Sequence, residues 1–487
     1  MRDVKVRTGA GRFAVALLAL LAVVGACSGT SRGVADGTAQ SASATARPPV
    51  TDSRVAGTSS HPATSDPVTS RSGESPSVSS HTPGSADTAT TTSPTRSTDG
   101  LVTTPSKRTA PSPTPTREPD LEVIASPPFG STGISPTEPL TIRVTSGTIR
   151  KLTFSNPSEG ITVNGTMSSD RAKWALTEAL GYGKTYTVHG MAVANDGMPV
   201  PITGTYSTVA PKREISTIIS PGDDAVVGVA APIIIRFSAP PPDRALIEKH
   251  IAITTSTPVT GAWAWVTHDG DTYPSLDFRP KKYWPEHTKV HVETDLYGVK
   301  LADGTYGGDN VTVDFTIGRN QVVIANAKSK KIVVQRDGKT TATYPASYGM
   351  GDDPNSKFGI NPDLVTRSGI HIVMDKKPKV LMSLPKYGYT NIPEYWDVRI
   401  SDNGEFIHEN PTTVADQGFL NVTHGCINLS PASAKAYYHS AIYGDPVEVS
   451  GTSVQLSPKD GDIFDWAVSW PVWTSLSNTG EFTTTSG

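Results

Sequence analysis

The chain repeats one pattern of short, alternating hydrophobic runs, and this internal repeat limits what its middle part can fold into. The segment at 125–144 parallels the segment at 219–237, and the segment at 181–190 parallels the one at 283–293. Each copy spans about 100 residues, with turn-forming residues between the runs and no helical period. Short strands at such spacing are typical of β-sandwiches. We therefore predict two tandem sandwiches built on one plan.

Two immunoglobulin-like domains are the simplest interpretation of this repeat. Their boundaries are predicted at 120–211 for the first domain and at 212–318 for the second. Four tryptophans within them are expected to pack in the cores or between domains, although a sugar-binding platform is an alternative. These tryptophans are Trp174, Trp263, Trp265 and Trp284.

The residues before the repeat have a composition that excludes a packed core. Between Ser31 and Glu118, 47 of the 88 residues are serine, threonine or proline. Such a segment buries too little apolar surface to offset its chain entropy. We predict that residues 28–119 form a disordered linker that tethers the folded part. The same composition would also suit an O-glycosylated stalk.

Residues 1–27 have the pattern of a secretory signal peptide. Four basic residues among the first 12 precede the apolar run FAVALLALLAVVGA. This run is shorter than the roughly 20 residues that a transmembrane helix needs. It ends at Val24-Gly25-Ala26-Cys27, which resembles a bacterial lipobox with its lipidated cysteine. We expect an extracytoplasmic protein of the cell envelope, anchored through Cys27 to the outer face of the cytoplasmic membrane. An ordinary cleaved signal peptide is the alternative.

Charge and cysteine content exclude several classes of function. A net charge of −3 at pH 7 lacks the basic excess of a nucleic-acid-binding protein. The two cysteines, Cys27 and Cys426, are too few for a disulfide scaffold or a four-thiolate zinc site. If Cys27 carries a lipid, Cys426 is a free thiol in a compartment where unpaired cysteines are uncommon. Cys426 is therefore a candidate reactive residue.

A third β-rich block follows the two sandwiches and extends over residues 319–450. Asp337-Gly338 lies between two β-type runs, which predicts a hairpin. Ser430-Pro431 supplies a helix N-cap and first helical position, and Gly444 is placed to end that helix. The block is therefore predicted to be mainly β with one short helix.

One short segment of this block combines the cysteine with two histidines. An imidazole within hydrogen-bonding reach of Cys426 would generate the thiolate that cysteine chemistry requires. The imidazole would in turn need an acceptor on its other nitrogen. Gly425 lets the backbone approach a substrate carbonyl closely, so that neighbouring N–H groups could stabilise an oxyanion. These residue types suggest acyl transfer by a cysteine and leave open whether His408 or His424 is the base.

Two other interpretations apply to the same residues. A lone cysteine beside a strand is often a small hydrophobic core residue. His408, His424 and Cys426 could also bind a metal ion, but no fourth ligand has the spacing of a known motif. We therefore expect no metal site here.

A longer motif favours the acyl-transfer interpretation. His408 lies sixteen residues before His424, within Thr423-His424-Gly425-Cys426-Ile427-Asn428. This arrangement resembles the signature of the L,D-transpeptidases, which have a YkuD-type catalytic domain. A lipoprotein-type N-terminus, two immunoglobulin-like domains, a catalytic domain and a Trp-rich tail resemble the mycobacterial-type members. The resemblance implies a mainly β protein with its catalytic domain at 319–450 and a C-terminal extension at 451–487 that packs on that domain.

The resemblance also implies a peptidoglycan acyltransferase that acts in cell wall biogenesis and cell shape. Such enzymes cleave a tetrapeptide stem between the diamino acid at its third position and the terminal D-alanine, and form an acyl-enzyme on the cysteine. The acyl group then passes to the side-chain amine of a neighbouring stem, which gives a 3→3 cross-link. No cofactor is expected, because thiol acyl transfer needs neither a redox group nor a metal. Carbapenems are expected to be covalent inhibitors.

Catalytic roles follow from the same resemblance. Cys426 matches the nucleophile, and His408 matches the general base, oriented by the backbone carbonyl of Glu409. Gly425 and Cys426 match the amides of the oxyanion hole, and His424 matches a position that shapes the site. The Glu409 side chain adds a carboxylate beside the base, which relatives usually lack.

Four further residues match substrate-binding positions. Thr423 and Asn428 belong to the motif itself. Met374 and Tyr389 resemble residues of the flap that covers the donor pocket. The sequence departs from close relatives at 410–412, where Asn-Pro-Thr replaces an aromatic residue after the base.

Two alternative functions remain open. An L,D-carboxypeptidase would use the same nucleophile and base, with water in place of the acceptor amine. A wall-binding lipoprotein with an inert catalytic-like domain belongs to a different class of function.

Overall fold

The computed structural model describes residues 120–460 and 463–487. The predicted signal peptide, the lipidation site Cys27 and the predicted linker at 28–119 lie outside these described residues. In the part of the chain that is described, no helix combines the length and the apolar character needed to span a bilayer.

The first sandwich packs two four-stranded antiparallel sheets over an aromatic core. Its strands are β1 (Val123–Ser126), β2 (Thr141–Val144), β3 (Gly147–Asn156), β4 (Ile161–Val163), β5 (Gly165–Met167), β6 (Lys173–Leu176), β7 (Thr185–Ala194) and β8 (Pro199–Ser207). The sheet orders are β1-β2-β6-β5 and β4-β3-β7-β8. Between the sheets, the Phe154 ring stacks on Trp174 and Tyr186 at centroid distances of 5.7 and 5.4 Å. Such aromatic pairs bury large apolar areas and hold the two layers together.

The second sandwich repeats this architecture with larger sheets. Its elements are β9 (Arg213–Ile215), β10 (Thr217–Ser220), β11 (Val226–Val227), β12 (Ile233–Phe237), α1 (Arg244–Lys249), β13 (Ile251–Thr255), β14 (Thr260–Val266), β15 (Ser275–Pro280), β16 (Lys289–Asp295), β17 (Lys300–Ala302), β18 (Thr305–Gly307) and β19 (Asn310–Ile317). The main sheets contain β10-β12-β15-β14 and β11-β19-β16-β13, and β17-β18-β9 form a small third sheet. Trp263, Trp265 and Trp284 are buried here, as Trp174 is in the first sandwich, so the expectation of core packing is confirmed.

Two tyrosines join the sandwiches to each other. The Tyr182 and Tyr297 rings lie 4.9 Å apart between centroids. The Tyr182 hydroxyl donates to the Gly307 carbonyl, and the Tyr297 hydroxyl donates to the Leu180 carbonyl, both at 2.7 Å. These reciprocal bonds fix the angle at which the domains meet.

The third block contains two sheets and one helix. Its elements are β20 (Gln321–Asn326), β21 (Lys331–Arg336), β22 (Lys339–Pro345), β23 (Gly369–Ile372), β24 (Asp375–Leu384), β25 (Tyr389–Arg399), β26 (Phe406–Glu409), β27 (Ile427–Leu429), α2 (Pro431–Ser440) and β28 (Pro446–Ser450). The sheet orders are β22-β21-β20-β28-β23 and β24-β25-β26-β27. The hairpin predicted at Asp337-Gly338 is confirmed, because β21 and β22 pair antiparallel around it. The mainly β fold class is likewise confirmed.

The start of α2 agrees with the prediction, but its end does not. The Ser430 hydroxyl caps the helix by accepting from the Ser433 N–H, and Pro431 is the first helical residue. The helix ends at Ser440, because Ala441 leaves the helical conformation. Gly444 lies beyond it in a turn with φ +85°. The prediction that Gly444 ends the helix is therefore wrong.

Gly444 instead allows close contact between the third block and the second sandwich. The Ala230 N–H donates to the Gly444 carbonyl at 2.9 Å, and the Gly228 N–H donates to the Tyr443 carbonyl at 2.7 Å. A Cβ atom on Gly444 would lie 2.5 Å from the Cβ of Ala231, closer than packed atoms can approach. The two backbones can hydrogen-bond directly because this glycine has no side chain.

The C-terminal extension completes the second sandwich. Its elements are α3 (Trp470–Ser475), β29 (Glu481–Thr483) and β30 (Thr485–Ser486). Strand β29 pairs antiparallel with β14, and β30 pairs parallel with β13, so the extension adds one strand to each main sheet. The prediction that 451–487 packs on the catalytic domain is therefore wrong for α3, β29 and β30. The earlier part of the extension does contact that domain, where the Ser368 N–H donates to the Val454 carbonyl at 2.8 Å.

The outer face of β14 explains this docking. Its small residues Ala262 and Ala264 leave room for Trp473, which is fully buried and donates its indole N–H to the Ala262 carbonyl at 2.9 Å. The Arg279 guanidinium lies over three tryptophan rings of the extension, 4.7 Å from Trp466 and 5.0 Å from Trp470 and Trp473. Cation–π contacts in such a buried setting add to the apolar stabilisation.

We predict that Trp473→Ala lowers the free energy of unfolding by about 3–5 kcal/mol, because it leaves a cavity between the extension and the second sandwich. Urea denaturation of the full chain measures this difference. Val472→Ala on the same helix is the control, since Val472 is 51% exposed and its truncation should change stability little. Equal effects of the two substitutions would contradict the docking role of Trp473.

Candidate active site

The pairing of β26 with β27 brings the histidine and the cysteine motif side by side. These strands run parallel, with Ile407 opposite Ile427 and His408 opposite Asn428. Both isoleucines are fully buried in the core of the domain. Because side chains alternate along a strand, His408 projects from the opposite face, beside the turn that carries Cys426. The spacing of the motif thus becomes a spatial contact.

Cys426 is a free, partly exposed thiol at the start of β27. Its Sγ atom donates to the Gly404 carbonyl oxygen at 3.4 Å. It also interacts electrostatically with the His408 side chain. This environment differs from that of a small hydrophobic core residue.

His408 is only 3% exposed. Its Nδ1 atom donates to the Glu409 carbonyl oxygen at 2.7 Å, which leaves Nε2 for Cys426. Burial lowers the pKa of His408, but its interactions with Cys426 and Glu394 outweigh burial and raise it to about 10. The surroundings therefore favour the imidazolium form.

Glu394 is a site residue that the sequence analysis missed. Its Oε2 atom lies 3.4 Å from His408 Nδ1, and its side chain is 13% exposed. Asp397, on the same strand β25, is buried, and neither of its carboxylate oxygens has a side-chain hydrogen-bond partner. The pKa of Asp397 is raised to about 6, mainly by burial. The charge of His408 acts to lower this pKa, and the charge of Glu394 acts to raise it.

The Glu409 side chain also interacts with His408, and burial raises the pKa of Glu409.

The turn before Cys426 is held by hydroxyl groups. The Thr423 hydroxyl donates to the Cys426 carbonyl at 2.6 Å and accepts from the Gly425 N–H at 3.2 Å. The buried Thr366 hydroxyl, which the sequence analysis also missed, donates to the Gly425 carbonyl at 2.7 Å. Gly425 has φ +129°, a conformation that L-residues rarely adopt. The backbone around the thiol is thus fixed in a conformation that requires glycine.

His424 faces an aromatic cluster. Its ring centroid lies 5.3 Å from Tyr389, 5.6 Å from Tyr387 and 5.9 Å from Phe358. Burial, followed by the charge of Lys357, lowers the pKa of His424, so the ring is neutral near pH 7. Its Nε2 atom is buried without a hydrogen-bond partner. The structure therefore brings Tyr389 to the site and adds Tyr387 and Phe358.

Asn428 and residues 410–412 shape the other side of the site. The Asn428 amide nitrogen donates to the Thr413 hydroxyl at 3.4 Å. The Asn410 side chain accepts from the backbone N–H groups of Thr412 and Thr413, which caps a short 3₁₀ turn that begins at Pro411. The substituted segment thus forms a capped turn next to the base.

Met374 lies in a different place from the other predicted substrate-binding residues. It lines a cavity of about 500 Å³ between the second sandwich and the third block, together with Arg399 and Tyr443. Its backbone N–H donates to the Arg399 carbonyl at 3.0 Å. None of these contacts brings Met374 to Cys426 or His408.

The described residues contain one cluster with the donor atoms for a metal ion, and it lies outside this site. Donor atoms of His268, Asp277 and Asp465 lie within 4.8 Å of one another in the second sandwich and its C-terminal extension. His268 and Asp277 already form a hydrogen bond of 2.8 Å.

Family models match both halves of the described chain. A bacterial Ig domain model matches residues 131–300. A model of the L,D-transpeptidase catalytic domain matches residues 320–449, the range that contains Cys426 and His408.

Curated relatives are similar over most of their length. L,D-transpeptidase 5 of Mycobacterium tuberculosis is 45% identical over 339 residues, which cover 70% of this chain and 73% of that protein. L,D-transpeptidase 2 of the same species is 33% identical over 351 residues, which cover 71% of this chain and 82% of that protein. Among solved structures, the L,D-transpeptidase LdtMt1 in complex with imipenem is 31% identical, with a TM-score of 0.40, and covers 49% of this chain and 99% of that one.

We predict that Gly425→Ala slows alkylation of Cys426 by iodoacetamide and lowers stability by about 1–3 kcal/mol, the cost of a non-glycine residue in a strained conformation. The added Cβ would meet nothing closer than Glu405 Cγ at 3.9 Å, so any loss reports backbone strain and not a collision. Gly222→Ala is the control, because its Cβ has open space and its φ lies outside the left-handed range. An unchanged alkylation rate in Gly425→Ala would show that Cys426 does not depend on this backbone conformation.

Proposed function

The chain belongs to the L,D-transpeptidase family, a family of acyltransferases, and from this premise we propose that it forms 3→3 cross-links in peptidoglycan. The observation that carries the proposal is the position of His408, which interacts with Cys426 and donates to the Glu409 carbonyl at 2.7 Å. A nucleophile, a base and an orienting acceptor in this order are the arrangement that cysteine acyl transfer requires.

The first half of the reaction transfers the donor stem to the enzyme. The Cys426 thiolate attacks the carbonyl carbon of the diamino acid at the third position of a tetrapeptide stem. The C–N bond to the terminal D-alanine breaks, and the His408 imidazolium protonates the departing amine. The products are free D-alanine and a thioester on Cys426, with His408 neutral.

Backbone amides stabilise the oxyanion of this step. We assign this role to the Cys426 N–H together with the Gly425 N–H. The Gly425 amide donates to the Thr423 hydroxyl at 3.2 Å, a long bond that it can exchange for the substrate oxygen. Thr366 donates to the Gly425 carbonyl, which belongs to the peptide that carries the Cys426 N–H, and so helps to hold that amide in place.

The second half passes the acyl group to a neighbouring stem. The side-chain amine of the acceptor attacks the thioester carbonyl and gives its proton to neutral His408. Sγ then leaves as the thiolate, which restores the initial state. Tyr389 and His424 line the donor side of the site. Thr423 and Asn428 stabilise, through their hydrogen bonds, the backbone of the motif that faces the substrate.

We place this activity outside the cytoplasmic membrane, where peptidoglycan lies. A lipid on Cys27 would anchor the chain, and the segment at 28–119 would let the folded part reach into the wall. The two sandwiches act as a spacer, because Tyr182 and Tyr297 join them and Gly444 joins the second one to the catalytic domain.

We predict that a carbapenem adds one inhibitor mass to the wild-type protein and none to Cys426→Ala. Thiolate attack on the β-lactam carbonyl forms the same kind of acyl-enzyme as the stem peptide. Intact mass spectrometry measures the adduct, and thermal denaturation shows that the variant remains folded. An adduct on the variant would assign the nucleophile elsewhere, and no adduct on either protein would favour an inert wall-binding lipoprotein.

We predict that the protein converts a disaccharide-tetrapeptide into a cross-linked dimer with release of D-alanine. Mass spectrometry of the products distinguishes the two enzymatic alternatives. Tripeptide and D-alanine without dimer would identify an L,D-carboxypeptidase, in which water is the acceptor. Cys426→Ala is the matched control and should yield neither product.

A further inference from the structure

Carboxylates interact with His408 from two strands of its sheet. Glu394 lies on β25, with Oε2 at 3.4 Å from Nδ1, and its side chain is largely buried. Asp397 lies three residues further along the same strand and interacts electrostatically with both His408 and Glu394. The Glu409 side chain on β26 interacts with the same two groups. This nitrogen of the base therefore lies in an anionic environment within a buried site.

The backbone of β25 explains how Glu394 and Asp397 act on the same ring. Residues three apart in a regular strand point to opposite faces of a sheet. Trp396, between them, has φ +57°, a left-handed conformation that changes the direction of the strand. Its ring packs on Tyr438 of α2 at 5.4 Å, and Lys435 lies 5.1 Å above it. Packing on α2 thus holds a local distortion that brings both carboxylates toward His408.

Asp397 indicates that this environment favours a positive charge on His408. It is 1% exposed, and no side chain among the described residues donates a hydrogen bond to its carboxylate. A buried carboxylate without a side-chain donor is costly unless a cation lies nearby. The His408 imidazolium is the cation with which it interacts. A neutral imidazole would leave the carboxylates of Asp397 and Glu394 without a compensating charge.

We propose that Glu394 is a positioning residue that stabilises His408 as the imidazolium and thereby keeps Cys426 as the thiolate before substrate binds. Asp397 contributes to the same field from a more distant, buried position. The backbone carbonyl of Glu409 orients the ring, and the Glu394 carboxylate sets its charge. The resting state is then an ion pair of Sγ⁻ and imidazolium, with no proton left to remove before attack. Forming it gives up the bond that the thiol donates to the Gly404 carbonyl at 3.4 Å.

This inference rests on the proposed function and explains the charge state from which its first step starts. In a neutral pair, His408 would have to take the thiol proton as Sγ attacks. In the ion pair that proton already lies on Nε2, so attack needs no proton transfer, and the same proton leaves with the D-alanine amine. The charged and titratable groups that interact with His408 or Cys426 come from β25, β26 and the turn before β27. They are Glu394, Asp397, Tyr389, Glu409, His408 and Cys426.

The test compares Glu394→Gln with the wild type in the full chain. The amide keeps the shape of the side chain but removes its charge, so the imidazolium and the thiolate both become less favourable. We predict that the midpoint of thiolate formation, measured by ultraviolet absorbance, moves to higher pH by about one unit. Iodoacetamide alkylation at mildly acidic pH should slow by about tenfold, while the plateau rate at alkaline pH should change little.

Two further variants make the result specific. Glu394→Asp keeps the negative charge and should restore most of the thiolate at neutral pH, which a role in packing alone would not predict. Asp337→Asn removes an exposed carboxylate from the hairpin turn of the same domain and should leave the titration unchanged. Thermal denaturation shows whether each variant is folded. If Glu394→Gln is not folded, Glu394→Asp is compared with the wild type, because it moves the same charge without removing it.

An unshifted titration in Glu394→Gln would overturn the inference. An equal shift in Asp337→Asn would also overturn it, because the effect would then reflect net charge. Alkylation and absorbance require no peptidoglycan, so either outcome leaves the proposed function standing. Conversely, a wild-type enzyme with the expected titration but without cross-linked product would refute the function and keep the ion pair.

Discussion

The parallel pairing of β26 with β27 is the constraint on which the active centre depends. Its register sets His408 opposite Asn428, so the imidazole and the thiol two residues before Asn428 share one side of the sheet. The buried Ile407 and Ile427 fix that register, because a slip by one residue would expose both. Thr423 and Thr366 then hold the turn before Cys426, and Glu394 acts on the charge of the ring.

Local sequence signals predicted much of this molecule. The repeat predicted two sandwiches, the Asp337-Gly338 turn predicted a hairpin, and Ser430-Pro431 predicted the start of α2. The motif also identified Cys426 and His408, whose side chains interact electrostatically. Each of these features is encoded within a few residues or by a fixed spacing, so it can be predicted from a single sequence.

The features that the sequence did not reveal depend on contacts between distant segments. The sequence analysis did not identify Glu394, because nothing local indicates that Trp396 adopts a left-handed conformation against α2. Gly444 was predicted to end the helix. A glycine is needed there because the second sandwich approaches its backbone closely. The tail was assigned to the wrong neighbour because the alanines of β14 that receive Trp473 lie about 200 residues away along the chain.

The two C-terminal strands make the second sandwich discontinuous in sequence. Thr255 bonds to Thr484 across 229 positions, and the whole catalytic domain lies between these partners. The edges of β13 and β14 therefore stay open until residues 481–486 pair with them, after the whole catalytic domain has been synthesised. Open strand edges invite pairing with other chains. For this protein, residues that follow the catalytic domain complete a domain that was begun before it.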